Sequence, residues 1–383
     1  MPAYNEDNRK AKKRGEMETV IITRAPLRIS LSGAGTDLPG YYQKQPGLVV
    51  SATINQYVYS ILTPGQPGPT QVIYANSRAS TPSTGSEDMI WYNDLSLPKE
   101  IARQFNMHDG LAVFLASQVP PGTGLGTSGS VAVSMIKALA FCCGLDLGPR
   151  EVAEMACYIE IDKMEMPVGR QDPYAVAFGG LNRITFERND VIVAPIDVSE
   201  QTTQNLQEHL LYFFCGPSSQ SSEILRRQRQ ATQRGDREIL ERLARIRELA
   251  QEMQSALEAG DLKHFADALH RGWQEKRRLT TGITNAFLDR CYQVARESGA
   301  LGGTLTGAGG GGILVLYCPQ AQQPQVREAL EGLGLEHWPC QLETDGVQLM
   351  QVVPWTRQPA LANAPWPQMP AAPSPAFMAS QGR

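Results

Sequence analysis

No two of the seven cysteines, at positions 142, 143, 157, 215, 291, 318 and 340, stand in C-x-x-C spacing. Their odd number and apolar surroundings read as reduced, buried thiols, not as a disulfide frame or a metal cluster. Histidine is as sparse: His108, His209, His264, His270 and His337 are scattered, and the one close pair, His264 and His270, is six apart and faces poorly on a helix. That spacing argues against zinc. No basic stripe with interleaved aromatics accompanies the net charge of −4, which excludes nucleic acid and anionic membrane as principal partners. No apolar run approaches the roughly 20 residues of a membrane span. The stretch from Asn5 to Glu18 is charged and lacks the apolar centre of a secretory signal. These absences leave a cytoplasmic protein that handles a small soluble ligand, with a homodimer left open.

The 383 residues suffice for one large domain or two. The first 18 and the Pro/Ala-rich residues 357–383 read as disordered appendages. Between them, Val20 to Thr23 and Leu27 to Leu31 predict a strand region broken near Pro26. Gly47 to Ile54 and Tyr57 to Leu62 predict a strand pair, and shorter strands are expected at Val72 to Tyr74, Leu111 to Val119, Leu181 to Phe186, Leu210 to Phe214 and Ile313 to Tyr317. Apolar residues at three- and four-residue spacing from Ile239 to Leu257, capped by Asp236 and stopped by Gly260, predict a long packing helix. A shorter one runs from Asn285 to Ser298.

What the chain does have is glycine at telling places. Gly124-Leu125-Gly126-Thr127-Ser128-Gly129-Ser130, reached through Pro120, Pro121 and Gly122, runs straight into the apolar stretch Val131 to Cys143. Glycines let a backbone approach a polyphosphate, and a helix start offers free N–H groups and a positive dipole end. Thr127, Ser128 and Ser130 could donate to phosphate oxygens or ligate magnesium, which prefers hard oxygen donors. Alone, the same pattern also fits an ordinary Gly/Ser turn entering a buried helix. A dinucleotide-binding reading fails, because the run is not G-x-G-x-x-G with an acidic residue about twenty positions later.

Three ordered segments carry a resemblance. Ala25 to Asp37, with Arg28, Thr36 and Asp37, resembles the first motif of the GHMP kinases, the family named for galactokinase, homoserine, mevalonate and phosphomevalonate kinases. Pro120 to Ser128 resembles the second motif, and Leu305 to Gly312 the third. Glu160 and Gly169 to Tyr174 resemble the acidic pair of the kinase members. The resemblance covers about Val20 to Pro354, and its wording is similar to that of the D-glycero-D-manno-heptose 7-phosphate kinases within the family. Ser32 and Ala34 interrupt the usual glycine run of the first motif.

The resemblance implies an α+β, two-domain fold. An N-terminal half of ribosomal-protein type (19–196) and a ferredoxin-like C-terminal half (197–356) would enclose the site in the cleft between them. It implies ATP and Mg2+, with Pro121, Gly122, Gly124, Leu125, Gly126, Thr127, Ser128, Gly129 and Ser130 around the nucleotide. Ser128 and Glu160 would hold the metal. Asp172 would accept the proton of the acceptor hydroxyl with Arg28 beside it, and Thr36 and Asp37 would contact the sugar. Gly307, Gly309 and Gly310 would shape the acceptor side. Each residue also has a plainer structural reading: Glu160 as a solvated helix face, Asp172 and Asp37 as turn residues, and Arg28 as half of a buried ion pair. The implied activity is transfer of the γ-phosphate to the anomeric hydroxyl of a sugar or sugar phosphate, with heptose 7-phosphate foremost. Fucose, galactose or another hexose, or a non-catalytic sugar-binding regulator, stand as alternatives. Arg78, Arg170, Lys276 and Arg277 are candidate cations for a distal phosphate.

Overall fold

The computed structural model describes residues 19–76, 95–107, 109–218 and 220–354. The expected appendages at 1–18 and 357–383 lie outside the described residues, as do Arg78 and His108. In chain order the elements of the first half are β1 (Thr19–Ser32), α1 (Pro39–Tyr42), β2 (Gly47–Pro69), β3 (Gln71–Asn76), α2 (Ser96–Gln104), β4 (Asp109–Ser117), α3 (Thr127–Cys142), α4 (Pro149–Cys157), α5 (Gln171–Phe178), β5 (Leu181–Phe186) and β6 (Val191–Pro195). A π-helical turn, Tyr158–Lys163, prolongs α4. There follow α6 (Glu200–His209), β7 (Leu210–Phe214), α7 (Ser221–Arg234), α8 (Arg237–Glu258), α9 (Leu262–Lys276), α10 (Ala286–Glu297), β8 (Gly302–Leu305), β9 (Ile313–Tyr317), α11 (Gln323–Glu331), β10 (Glu336–His337), β11 (Leu342–Glu343) and β12 (Gln348–Pro354).

Two sheets organise these elements. The larger runs β12-β1-β2-β4-β3, with β5 and β11 also on β2 and β6 on β5. Its pairings are antiparallel apart from β3 with β4. The smaller is an antiparallel sheet of order β10-β7-β9-β8. The mixed α+β architecture agrees with expectation. The chain leaves the larger sheet after Pro195 and re-enters it at Leu342, so the last strands of the span expected as the second half complete the first sheet.

The expected breaks in β1 and β2 have one cause. Pro26 pairs with Tyr57 but Leu27 pairs with Ile54, so Asn55 and Gln56 bulge out of β2 opposite the residue that has no N–H to give. A bulge lets proline sit inside a ladder without ending the strand. Both segments are therefore continuous.

The sequence of α3 is apolar almost all round, as befits a helix buried between layers; Val131, Met135, Ile136 and Leu139 are all buried in the core it shares with the large sheet. In α8, Leu243 and Ile246 pack into the second core beside Phe213 and Trp273, whereas Met253 and Leu257 reach the first. The α8–α9 hairpin thus spans both cores. Asp236 caps α8 by accepting from the Ile239 N–H at 3.2 Å, and Asn285 caps α10 at Leu288.

Thr53 joins the returning chain to the sheet. Fully buried, it donates to the Glu343 carbonyl and accepts from the Gly180 N–H, both at 2.7 Å. Thr53→Val keeps the shape and strands both backbone partners. It is expected to cost about 2 kcal/mol in a denaturant melt, with turnover per folded molecule unchanged.

Candidate active site

Arg28 lies in β1 opposite Thr53 of β2, and its side chain reaches the glycine turn that follows β4. Its guanidinium grips Asp172 at the start of α5 in a fork, Nε to Oδ1 and Nη2 to Oδ2, both at 2.7 Å. Nη1 donates to the Gly124 carbonyl at 2.6 Å. A planar fork suits a carboxylate better than a lysine ammonium would. The Arg28 N–H also donates to the Leu125 carbonyl. Arg28 is buried while Asp172 keeps partial exposure, so the carboxylate is oriented from behind and open in front.

The turn itself is built on left-handed backbone. Gly122, Gly124 and Gly126 have φ of +77°, +71° and +78°, a region that glycine enters without strain. Space demands glycine too: a Cβ on Gly126 would lie 3.1 Å from the Arg28 guanidinium, and one on Gly129 2.9 Å from Asp172 Cβ. Gly126 precedes the first residue of α3, and no side chain caps the helix. Its first-turn N–H groups, beginning with Thr127 and Ser128, are therefore free for an anion. Pro121 is half-buried on the approach to the turn.

The second half clamps this cradle from the other side. The Thr123 carbonyl accepts from the Thr306 hydroxyl at 3.0 Å and the Ile313 N–H at 3.1 Å, while the Gly122 carbonyl accepts from the Ser218 N–H. Gly307 rests directly on Gly124, where a Cβ would lie 2.6 Å from the Gly124 Cα. Gly309 and Gly310 instead fold against Ile283 and Gly282, so these three glycines shape the loop through backbone packing.

Glu160 sits in the π-helical turn, a feature frequent at functional sites. It is buried, its Oε1 has no hydrogen-bond partner among the described residues, and Ser128 hydrogen-bonds the carboxyl. Burial first, then the negative Asp172, pushes its carboxyl up to about 8, with Ser128 opposing. Such a carboxylate asks for a cation. One buried unpaired oxygen and one hydroxyl fit magnesium, which keeps waters and phosphate oxygens as its other ligands. Among the described residues no group of three or more His, Cys, Asp or Glu could cage a metal alone.

Asp37 is 2% exposed and accepts from the Gly35 N–H at 3.0 Å and the Gln171 N–H at 3.2 Å. Burial, with Asp172 adding, raises its carboxyl above the usual range against those two donors. A Cβ on Gly169 would stand 1.9 Å from Oδ2, so glycine there makes the room. Thr36, expected beside Asp37 on a ligand, is turned inward. Its buried hydroxyl donates to the Gly33 carbonyl and accepts from the Leu48 N–H. Ser130 likewise spends its hydroxyl on the Pro26 carbonyl at 2.8 Å, pinning α3 to β1 and leaving Thr127 and Ser128 as the hydroxyls at the helix mouth.

Two side chains that reach the loop from Ser32 to Asp37 come from the second half: Gln228, which the sequence does not single out, and Lys276, one of the candidate cations. Gln228 of α7 lies against Gly35, where a Cβ would meet its Nε2 at 2.5 Å. Lys276, at the end of α9, donates to the Leu305 carbonyl at 2.6 Å. Of the other candidate cations, Arg277 pairs with Asp289 at 2.6 Å, and Arg170 lies over the Tyr42 ring at 5.3 Å.

The sequence profile of the GHMP kinases N terminal domain matches residues 96–180, and that of the GHMP kinases C terminal matches residues 253–334. The chain is 30% identical over 318 residues to the D-glycero-alpha-D-manno-heptose 7-phosphate kinase of Campylobacter jejuni, covering 81% of this chain and 93% of that one. Its fold is similar to a crystal structure of a D-glycero-D-manno-heptose 1-phosphate kinase from Bacteriodes thetaiotaomicron, with a TM-score of 0.67, 26% identity, and coverage of 86% of this chain and 99% of that one. Lactococcus lactis galactokinase complexed with galactose shares the fold alone, with a TM-score of 0.67 at 17% identity over 86% of this chain and 95% of that one.

Burial, with the Arg28 charge adding and Asp37 opposing, pushes the Lys276 ammonium down to about 7. Between that value and the usual lysine range the unfolded chain binds the extra proton, so this residue's destabilising effect is full below about pH 7 and fades as pH rises toward 10. In phosphate-free buffer, the stability of the wild type relative to Lys276→Met is therefore expected to climb from pH 7 to pH 10. Parallel stability curves would show that Lys276 does not titrate there.

Proposed function

The chain belongs to the GHMP kinases, and from that premise we propose that it is an ATP-dependent sugar kinase phosphorylating an anomeric hydroxyl. The observation that carries the reading is the Arg28–Asp172 fork beside the glycine cradle. It holds a carboxylate with open lone pairs next to a helix mouth suited to phosphate. Phosphoryl transfer has a largely dissociative transition state, so the protein's contribution is to position the acceptor and neutralise charge.

In this reading the turn from Gly122 to Gly126 and the first N–H groups of α3 bind the nucleotide phosphates. Ser128 and Glu160 hold magnesium, which when bound neutralises charge on the phosphates. Asp172 orients the acceptor hydroxyl and takes its proton late in transfer. An anomeric hydroxyl is more acidic than an ordinary alcohol, so an ionised carboxylate serves as base. Arg28 fixes the two Asp172 oxygens and stands beside the transferring group. Asp37, its carboxylate aimed by the Gly35 and Gln171 N–H groups, receives sugar hydroxyls. The Campylobacter jejuni relative makes D-glycero-D-manno-heptose 7-phosphate the proposed acceptor.

Purified protein with ATP and magnesium is expected to release ADP only when a suitable acceptor is present. A panel of hexoses and heptoses, with and without a terminal phosphate, identifies that acceptor. Asp172→Asn is expected to lower kcat at least about 100-fold, with the melting temperature measured alongside because Arg28 loses its partner. Full activity in that variant would remove Asp172 from the mechanism.

A further inference from the structure

At the seam between the halves, Ser30, Ser32 and Ala34 face Gly272, Lys276 and Thr304 across a small cavity. Ser30 and Ser32 are 4% and 7% exposed, and neither hydroxyl has a hydrogen-bond partner among the described residues. Lys276 is 8% exposed and spends one of its three donors on Leu305. It forms no ion pair among the described residues. Gly272 lies beside Ser32: a Cβ there would stand 3.7 Å from the Ser32 hydroxyl, an ordinary van der Waals contact.

The wall is rich in donors and, when Lys276 is protonated, carries a charge without a counter-ion. A buried cation left in that state is costly, and a water molecule could satisfy the hydrogen bonds but not the charge. What completes the set is an anionic oxygen, accepting from the ammonium and both hydroxyls. The cavity also adjoins the acceptor loop. Ser32 to Ala34 run directly into Asp37, and the Asp37 charge is felt at Lys276. A sugar held at Asp37 with its anomeric end at Asp172 has its remaining substituents free to reach this seam.

We propose that Lys276, Ser30 and Ser32 form an anion subsite that takes an oxygen of a phosphate monoester on the acceptor, so that the kinase selects sugars already phosphorylated away from the anomeric carbon. This rests on the sugar-kinase reading for its ligand, though not for its existence. It gives the C-terminal half a part in acceptor choice, through α9.

The test uses the full-length chain, with Lys276→Met and Ser32→Ala beside the wild type. The KM for heptose 7-phosphate, divided by that for the same heptose without phosphate, is expected to rise about 10- to 100-fold in Lys276→Met, the range for losing a charged hydrogen bond. Ser32→Ala should move the ratio the same way by a few-fold, and it leaves the Lys276 bond to Leu305 intact. Inorganic phosphate should compete with the phosphorylated acceptor, and less well in both variants. An unchanged ratio in both variants overturns the subsite and leaves Lys276 as a prop for β8. If the wild type phosphorylates neither heptose, the acceptor reading fails separately. The subsite is then judged by calorimetry with inorganic phosphate: binding at least about tenfold weaker in Lys276→Met sustains it, and equal binding or none in the wild type overturns it.

Discussion

Five N–H groups on one guanidinium decide where the working parts of this protein can be. Arg28 spends two on Asp172, 144 residues away, and one on the Gly124 carbonyl, 96 residues away, from a rigid place inside the large sheet. Asp172 and the glycine turn are therefore registered against the same planar group. Gly126 and Gly129 follow from this, because the space beside them is filled by Arg28 and Asp172 themselves. Pro26, two residues upstream, is accommodated by the Asn55–Gln56 bulge without breaking the strand that carries the arginine.

Around that hub, buried polar groups divide into two kinds. Thr36, Thr53, Ser130 and Thr306 are satisfied by backbone and hold loops in place. Glu160, Ser30 and Ser32 are buried with an oxygen that no described residue answers. In a low-dielectric interior such unanswered groups are costly, and here all three line the same cleft region, near Asp172 or Asp37. The Tyr41, Ser60 and Tyr212 hydroxyls are likewise unanswered; Glu160, Ser30 and Ser32 are the ones placed where a ligand could complete them.

Much of this was legible in sequence because its causes are local. A tight turn that must enter left-handed backbone writes itself as glycine, and a buried helix behind it writes itself as an apolar run. The caps at Asp236 and Asn285 are equally local. Roles that depend on what a hydroxyl meets were not legible: Thr36 and Ser130 look like ligand contacts in the chain and turn out to be fasteners. Gln228 escaped notice for a related reason, and Lys276 stood out only as one of four candidate cations. Gln228 sits on an amphipathic helix whose pattern reports only that it packs, while its place against Gly35 is set by how α7 lies on α1.

The pairing of Thr19 with Pro354 has a mechanical side. Because β11 and β12 return to the large sheet, the segment from Glu200 to His337 is moored to it by two strands of chain rather than one. Because it also shares the large sheet's core through Met253, Phe265 and Tyr317, it is held along its length as well as at its ends. The third glycine motif, seated on Gly124, and Lys276 on α9 both ride on that moored body. Both therefore keep a single registration to the strand that carries Arg28.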